Sequence, residues 1–249
     1  MHHKCIKVKM TPALKTAIES LYSTFSPYPL RPTIEGCSHC VSAEDQKKLS
    51  SKALNLMEAE DISRYAWKAM TTWGEVEDFK HFLPRLLELI ATTGIKYDSS
   101  VVLGKLEYAK WNDWDQTEKD AIRSFVLAWW AESVTKEVGL LVDFIELYTL
   151  LGDIDPLLDC WVINFEDQSF RNLVWFIQLN YYYLLGKKSY FKEFDPASIH
   201  KLLSWIIEKK GLLEQGFYHF ETTDPEFAQK ISDTLYLLDW VPFPESNQR

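Results

Sequence analysis

Apolar residues recur along most of the chain at the spacing of amphipathic α-helices. The apolar positions from Leu14 to Phe25 follow steps of three and four residues, and Thr11-Pro12 supplies an N-cap followed by proline at the first helical position. Similar helix starts recur as Ser42-x-x-Asp45, Asp115-x-x-Glu118, Asp155-Pro156, Asp195-Pro196 and Asp224-Pro225. The pattern predicts an all-α fold of about ten helices joined by short loops, as a helical bundle or an irregular solenoid-like array. We predict a single domain over 1–249.

Residues 26–41 interrupt this helical pattern. The stretch SPYPLRPTIEGCSHCV contains three prolines and has no apolar period, so it predicts an extended segment rather than a helix. A segment of this length is costly to leave free. We therefore expect it to bury Tyr28, Leu30 and Ile34 in a groove between helices.

Pro84 lies inside the helical pattern DFKHFLPRLLELI. Proline lacks a backbone donor, and its ring crowds the preceding turn. We predict that the helix kinks at this point or splits near Leu83.

Composition and charge exclude several classes of protein. Hydrophobic residues make up 47% of the 249 residues and charged residues 25%, which is typical of a globular chain. The formal charge of −9 argues against nucleic acid as a partner, because its binding needs Lys and Arg against phosphates. No 18-residue apolar window predicts a membrane span, and the start MHHKCIKVKM lacks the apolar run of a signal peptide. Four cysteines, two of them closely spaced, favour the reducing cytoplasm.

Aromatic residues make up 14% of the chain. We expect most of them to fill the spaces between helices. Three clusters are harder to bury whole, because consecutive helical positions point in directions about 100° apart. These clusters are Trp111 with Trp114, Trp129 with Trp130, and Tyr181 with Tyr182 and Tyr183. Part of one cluster is expected to line a groove.

The strongest chemical signal is the C-x-x-C of Cys37 and Cys40, directly before the helix predicted from Ser42. Two thiolates at this spacing can reach one zinc ion from a tight turn, as half of a tetrahedral site. No second C-x-x-C exists to complete it. The remaining ligands would come from His2, Cys5, His81, Cys160, His200 or His219.

Thiol chemistry is a second interpretation of the same motif. A helix N-terminus and the intervening His39 favour the thiolate form of Cys37. The letters C-S-H-C are similar to the C-P-H-C of DsbA-like oxidants, although the βαβ pattern of their thioredoxin fold is missing here. In a third interpretation, both thiols only pack in an irregular loop.

Other enzyme motifs are missing from the sequence, which has no H-E-x-x-H, G-x-S-x-G, P-loop or G-x-G-x-x-G. Asp78, His81 and Arg85 fall on one helical face if Pro84 keeps the register. That face could form an acid/base cluster, but a solvated face or a buried ion pair is the simpler interpretation.

Three stretches carry a resemblance to a known family: PLRPTIEGCSHCVSAEDQ, SRYAWKAMTTWGEVEDFKHFLPRLLELI and GKLEYAKW. Over roughly 26–130 the chain resembles a family of hypothetical bacterial proteins. The resemblance implies a bacterial, cytosolic, helical protein. It transfers no activity, substrate, cofactor or catalytic residue.

These observations favour a non-enzymatic interaction module that binds a protein or peptide, because a concave helical surface rich in aromatic and acidic residues suits such recognition. The alternative is an enzyme with a thiol redox or metal site built around Cys37, His39 and Cys40, with zinc as its cofactor in the metal version.

Overall fold

The computed structural model describes residues 10–92, 99–136, 140–186, 191–192 and 194–241. The all-α prediction is confirmed: the structure is 74% helical, and none of the described residues forms a strand beyond isolated bridges. The chain divides into two compact units, 1–129 and 130–249, with the boundary inside one helix. The single domain over 1–249 stays a prediction.

The first unit is built around one central helix. Its α-helices are α1 Pro12–Thr24, α2 Ala43–Leu49, α3 Ala59–Lys68, α4 Val76–Thr92, α5 Ser99–Tyr108 and the start of α6 Gln116–Lys136, with 3-10 turns at Leu54–Leu56 and Trp111–Asp113. Helix α4 contacts α1, α3 and α5. Its buried face carries Phe79, Phe82 and Leu86, none of which is exposed to solvent. This apolar face is the core of the first unit.

Among its described residues, the second unit contains the end of α6 and six further α-helices. They are α7 Leu141–Leu151, α8 Asp155–Cys160, α9 Gln168–Leu185, α10 Pro196–Glu208, α11 Lys210–Phe220 and α12 Pro225–Trp240. Helix α9 contacts α10 and α12, and α11 lies against α12. Phe170, Phe220 and Phe227 pack ring against ring in the core of this unit. Within the described ranges, no helix combines the length and the apolar character needed to cross a bilayer.

Most of the predicted helix starts are confirmed. The N-cap side chain accepts a backbone N–H at Thr11, Ser42, Asp195 and Asp224. Helix α8 also begins at its predicted Asp-Pro pair, but its N-cap is Ile154 and its first residue is Asp155. The predicted capping role of Asp155 is therefore wrong. Its carboxylate instead pairs with Lys201 of α10.

The extended segment over 26–41 is also confirmed, and α4 holds it in place. Ile34 is only 2% exposed, while Tyr28 and Leu30 are half-buried. Gly36 forms an antiparallel bridge with Trp73, in the loop before α4. The segment therefore packs against the unit through two buried apolar side chains, Ile34 and Val41, and several polar contacts.

The three aromatic clusters differ in how far their side chains are buried. Trp111, Trp114, Trp129 and Trp130 are all buried. Tyr181 is buried, whereas Tyr182 and Tyr183 are about half exposed. None of these residues lines the aromatic groove described below.

Helix α4 continues through Pro84 as a single helix from Val76 to Thr92. The predicted split near Leu83 is therefore wrong, while the kink stays a prediction. Pro84 is itself buried, and the apolar face continues on both sides of it. Burial of that face outweighs the one backbone hydrogen bond that proline cannot donate.

We expect Pro84→Ala to change the free energy of unfolding by less than about 1 kcal/mol. Alanine restores an N–H for the carbonyl of Lys80 and improves helix propensity, but it removes the buried ring. These effects oppose each other. Urea denaturation followed by circular dichroism measures the difference, and a loss of several kcal/mol would show that the ring itself holds the helix in place.

Candidate functional site

Residues 37–40, here called the cysteine turn, form a hydrogen-bonded turn on the surface of the first unit. The N–H groups of Cys40 and Val41 both donate to the carbonyl oxygen of Cys37, at 2.8 and 2.9 Å. The N–H of Cys37 donates to Thr72 O at 2.9 Å, which ties the turn to the loop before α4. Cys37 is exposed and Cys40 half-buried, and both are free thiols.

Helix α3 holds the other end of the cysteine turn. The amine of Lys68 and the guanidinium of Arg64 both donate to the carbonyl oxygen of Cys40, Arg64 at 3.2 Å. Arg64 also pairs with Asp45 of α2 at 3.1 Å. The main chain is therefore fixed on both sides of the pair.

The surroundings of Cys37 favour its thiolate. The N–H of His39, the thiol of Cys40 and the N–H of Cys40 donate hydrogen bonds to the Cys37 sulfur, and the charge of Lys68 acts in the same direction. Together they lower the pKa of the Cys37 thiol. The intervening His39 contributes through its backbone, and its side chain is exposed.

No metal-binding group of three or more His, Cys, Asp or Glu occurs in the part of the chain that the structure describes. Two of the predicted further ligands, His2 and Cys5, lie outside that part. The other four are His81, on α4, and Cys160, His200 and His219, in the second unit. Zinc at Cys37 and Cys40 stays a prediction.

The buried carboxylate of Asp78 forms an ion pair with Arg31. This is the simpler alternative to the acid/base cluster that the sequence allowed on this face of α4. The Asp78 side chain is 1% exposed, and Arg31 of the extended segment donates to both carboxylate oxygens, through Nε at 2.6 Å. The N–H of Glu75 donates to the same carboxylate at 2.8 Å. Gly74, with φ of +73°, leaves room for it, because a Cβ there would lie 2.7 Å from Asp78 Oδ2. The carboxylate is fully engaged in holding the extended segment.

His81 and Arg85 each bind a different part of the chain. His81 Nδ1 lies 2.8 Å from the carbonyl oxygen of Tyr28, in the extended segment. Arg85 donates from Nε to Met57 O at 2.6 Å and from a terminal nitrogen to Glu88 at 2.7 Å. The predicted face of α4 therefore acts as a row of structural clamps.

A buried polar cluster lies next to this row, and sequence reasoning missed it. The amine of Lys80 donates to both carboxylate oxygens of Glu118, at 2.9 and 2.7 Å, and to the hydroxyl oxygen of Tyr28 at 3.0 Å. The Tyr28 hydroxyl donates to Glu118 at 2.6 Å. Burial opposes the charge on Lys80, but these hydrogen bonds raise its pKa above the ordinary value. Glu118, predicted to close a capping box, neutralises this amine, and the capping box itself stays a prediction.

A groove of about 270 Å³, here called the aromatic groove, lies between α3 and α5. Its lining consists of Trp67, Val101, Gly104, Lys105 and Tyr108. Trp67 is 52% exposed and Tyr108 59% exposed. Apart from its chain neighbours and the backbone of α5 itself, no heavy atom of the described residues lies within 4 Å of the position that a Cβ on Gly104 would occupy.

Lys105 joins the two walls of the aromatic groove. Its amine donates to Ala69 O, the carbonyl at the end of α3, at 2.7 Å, and it lies 5.6 Å from the centre of the Tyr108 ring. Burial lowers the pKa of this amine.

A larger groove of about 590 Å³ lies beside α1, lined by residues that include Ile18, Tyr22, Leu54 and Glu88. Two of its polar groups, those of Tyr22 and Glu88, are engaged within the fold. The Tyr22 hydroxyl donates to Glu88 at 2.6 Å, and burial together with this carboxylate raises the Tyr22 pKa. Arg85, which is also on α4, donates to the same carboxylate. The carboxylate of Glu88 therefore joins α1 to α4 through Tyr22.

No protein-family model matches the chain, and no curated protein or solved structure matches it either. Functional inference therefore rests on the residues and their contacts.

Proposed function

We propose that this protein is a non-enzymatic interaction module whose aromatic groove binds an extended, proline-containing peptide segment with an acidic residue beside the prolines. The observation that carries the proposal is Gly104. It lies in the interior of α5, where glycine costs about 0.5 to 1 kcal/mol relative to alanine. No packing contact excludes a side chain there, so its effect is to keep the groove open.

The rings of the groove suit a proline-rich ligand. Grooves lined by aromatic residues bind proline-rich segments, because such segments are already extended and lose little entropy on binding. Trp67 and Tyr108 supply exposed apolar surface with a polar tip on each ring. A groove of about 270 Å³ accommodates a short stretch of such a segment rather than a whole helix.

The charge of the groove favours an acidic flank. The only charged residue of its described lining is Lys105, in a chain whose formal charge is −9. The amine of Lys105 therefore attracts a peptide carboxylate locally, whereas the net charge of the chain as a whole acts in the opposite direction, repelling acidic and attracting basic peptides. Because 26–130 resembles a bacterial family, we propose that this interaction occurs in a bacterial cytoplasm.

The test is a titration of the nitrogen-15-labelled full chain with a synthetic peptide made of proline and glutamate. We expect the indole N–H resonance of Trp67, assigned through Trp67→Phe, and the amide resonance of Gly104 to shift. Gly104→Leu fills the groove and should weaken binding at least about tenfold, because it blocks the contact between peptide and rings.

Two control variants separate blocking from unfolding. Gly104→Ala should raise stability by about 0.5 to 1 kcal/mol and leave most of the groove open. Gly211→Leu in α11 introduces the same side chain at another open glycine, in the second unit, and should leave peptide binding unchanged. Equal binding by Gly104→Leu, equal binding of a peptide with alanine in place of proline, or no shift at any peptide concentration would each refute the proposal.

A further inference from the structure

We propose that Cys37 and Cys40 form a reversible dithiol–disulfide pair that exchanges with small-molecule disulfides of the glutathione type. Neither residue lines the aromatic groove, so this chemistry goes beyond the interaction proposed above. The proposed peptide binding gives no role to the C-x-x-C motif of Cys37 and Cys40.

The turn brings the two residues within the reach of a disulfide. A hydrogen-bonded turn of four residues has its end Cα atoms less than about 7 Å apart, and disulfides span Cα separations of about 4.4 to 6.8 Å. Cys40 N donates to Cys37 O at 2.8 Å, which closes such a turn. The side chain of Cys40 is also near enough to contribute to the lowered pKa of the Cys37 thiol.

The accessibility of the two sulfurs differs in the way that exchange requires. Cys37 is exposed, so an external disulfide can approach it, whereas Cys40 is half-buried. Lys68 contributes a positive charge beside Cys37, which suits an anionic partner such as glutathione. The third described thiol, Cys160, is half-buried, and burial with the charge of Asp159 raises its pKa.

The main chain around the pair is anchored, so oxidation needs little rearrangement. Thr72 O accepts the N–H of Cys37, and Arg64 and Lys68 hold Cys40 O. A disulfide across four residues also closes a very short loop, which stabilises a fold less than a long loop does. The pair is therefore suited to reversible exchange rather than to stapling the fold.

The exchange proceeds in two steps. Cys37, having lost its proton to solvent, attacks one sulfur of glutathione disulfide; the bond between the two glutathione sulfurs breaks, and one glutathione thiolate leaves and takes up a proton. The Cys40 sulfur then attacks the Cys37 sulfur, the mixed disulfide breaks, and the second glutathione leaves with the proton from Cys40. The protein dithiol loses two electrons, and glutathione disulfide is reduced to two glutathione molecules.

The experiment equilibrates the purified full chain in glutathione buffers of graded redox ratio, followed by acid quenching, alkylation and mass spectrometry of the peptide that holds both cysteines. We expect a reversible two-electron transition between the dialkylated peptide and the internal disulfide. Cys40→Ser should stop at the mixed disulfide of Cys37 with glutathione. Cys37 should be alkylated at least about tenfold faster than Cys160, because exposure and thiolate character set thiol reactivity.

Cys160→Ser is the matched control and should leave the transition unchanged. Three outcomes would overturn the proposal: both thiols stay alkylatable in fully oxidised buffer, the internal disulfide forms but cannot be reduced by glutathione, or the chain is purified with one equivalent of zinc that protects both cysteines from alkylation until a chelator removes it.

Discussion

Replacing Lys80 by methionine is expected to lower the free energy of unfolding by about 3 to 5 kcal/mol. The substitution keeps the length of the side chain but removes the charge that neutralises Glu118. The side chains of Lys80 and Glu118 are only 11% and 5% exposed, so water cannot take over that role. The Glu118 carboxylate is then left buried, with the Tyr28 hydroxyl as its remaining partner. Urea denaturation of the full chain measures the loss.

Two further variants separate the buried charge from general disruption. Lys80→Met combined with Glu118→Leu removes both charges and should recover a large part of the loss, because no unpaired charge stays in the core. Lys48→Met breaks the exposed pair with Glu44 on α2 and should cost less than about 0.5 kcal/mol. A Lys80→Met variant as stable as the parent would mean that Glu118 is solvated in solution.

Gly216→Ala is expected to destabilise the second unit by about 3 kcal/mol, the upper part of the range for overpacked cores. A Cβ on Gly216 would lie 2.5 Å from Phe170 Cε1 and closer still to Cζ. Phe170 is fully buried between the rings of Phe220 and Phe227, so it has no free space to move into. Thermal denaturation followed by near-ultraviolet circular dichroism, which reports on packed aromatic rings, measures the effect.

The control for Gly216 lies in the same helix. Gly211 also belongs to α11, but no atom lies near its Cβ position, so Gly211→Ala should raise stability by up to about 1 kcal/mol. Phe170→Leu should recover part of the loss in Gly216→Ala, because the shorter side chain makes room for the methyl group. Equal effects of alanine at the two glycines would contradict the packing described for Phe170.

The helices could be predicted from sequence because their signals are local. Thr11, Ser42, Asp195 and Asp224 act on backbone groups two or three residues away, so the pattern alone identifies them. Pro84 shows the limit of this reasoning. Proline locally favours the end of a helix. The apolar face of α4 continues past Pro84, however, and is buried by α1, α3 and α5. That burial depends on the tertiary fold and cannot be seen in the local sequence.

The candidate sites also differ in whether their residues are close in sequence or are brought together only by the fold. Cys37 and Cys40 are close in sequence, so their motif predicted a site, and only the anchors at Thr72 and Lys68 required the structure. Lys80 and Glu118 are 38 residues apart, and nothing in their surroundings along the chain connects them. The aromatic groove was missed for a related reason. From sequence alone, a glycine inside a helix such as Gly104 indicates only a weak helix former, because the space beside it depends on neighbours that the fold brings together.

The hydrogen bond from Lys105 to Ala69 O affects the entropy and enthalpy of peptide binding in the aromatic groove. Because α3 and α5 are already joined, the walls of the aromatic groove need not be ordered when a peptide arrives, and the protein loses little conformational entropy. Calorimetry of peptide binding should therefore give a favourable enthalpy near room temperature and a negative heat-capacity change, as expected for apolar surface entering a preformed site.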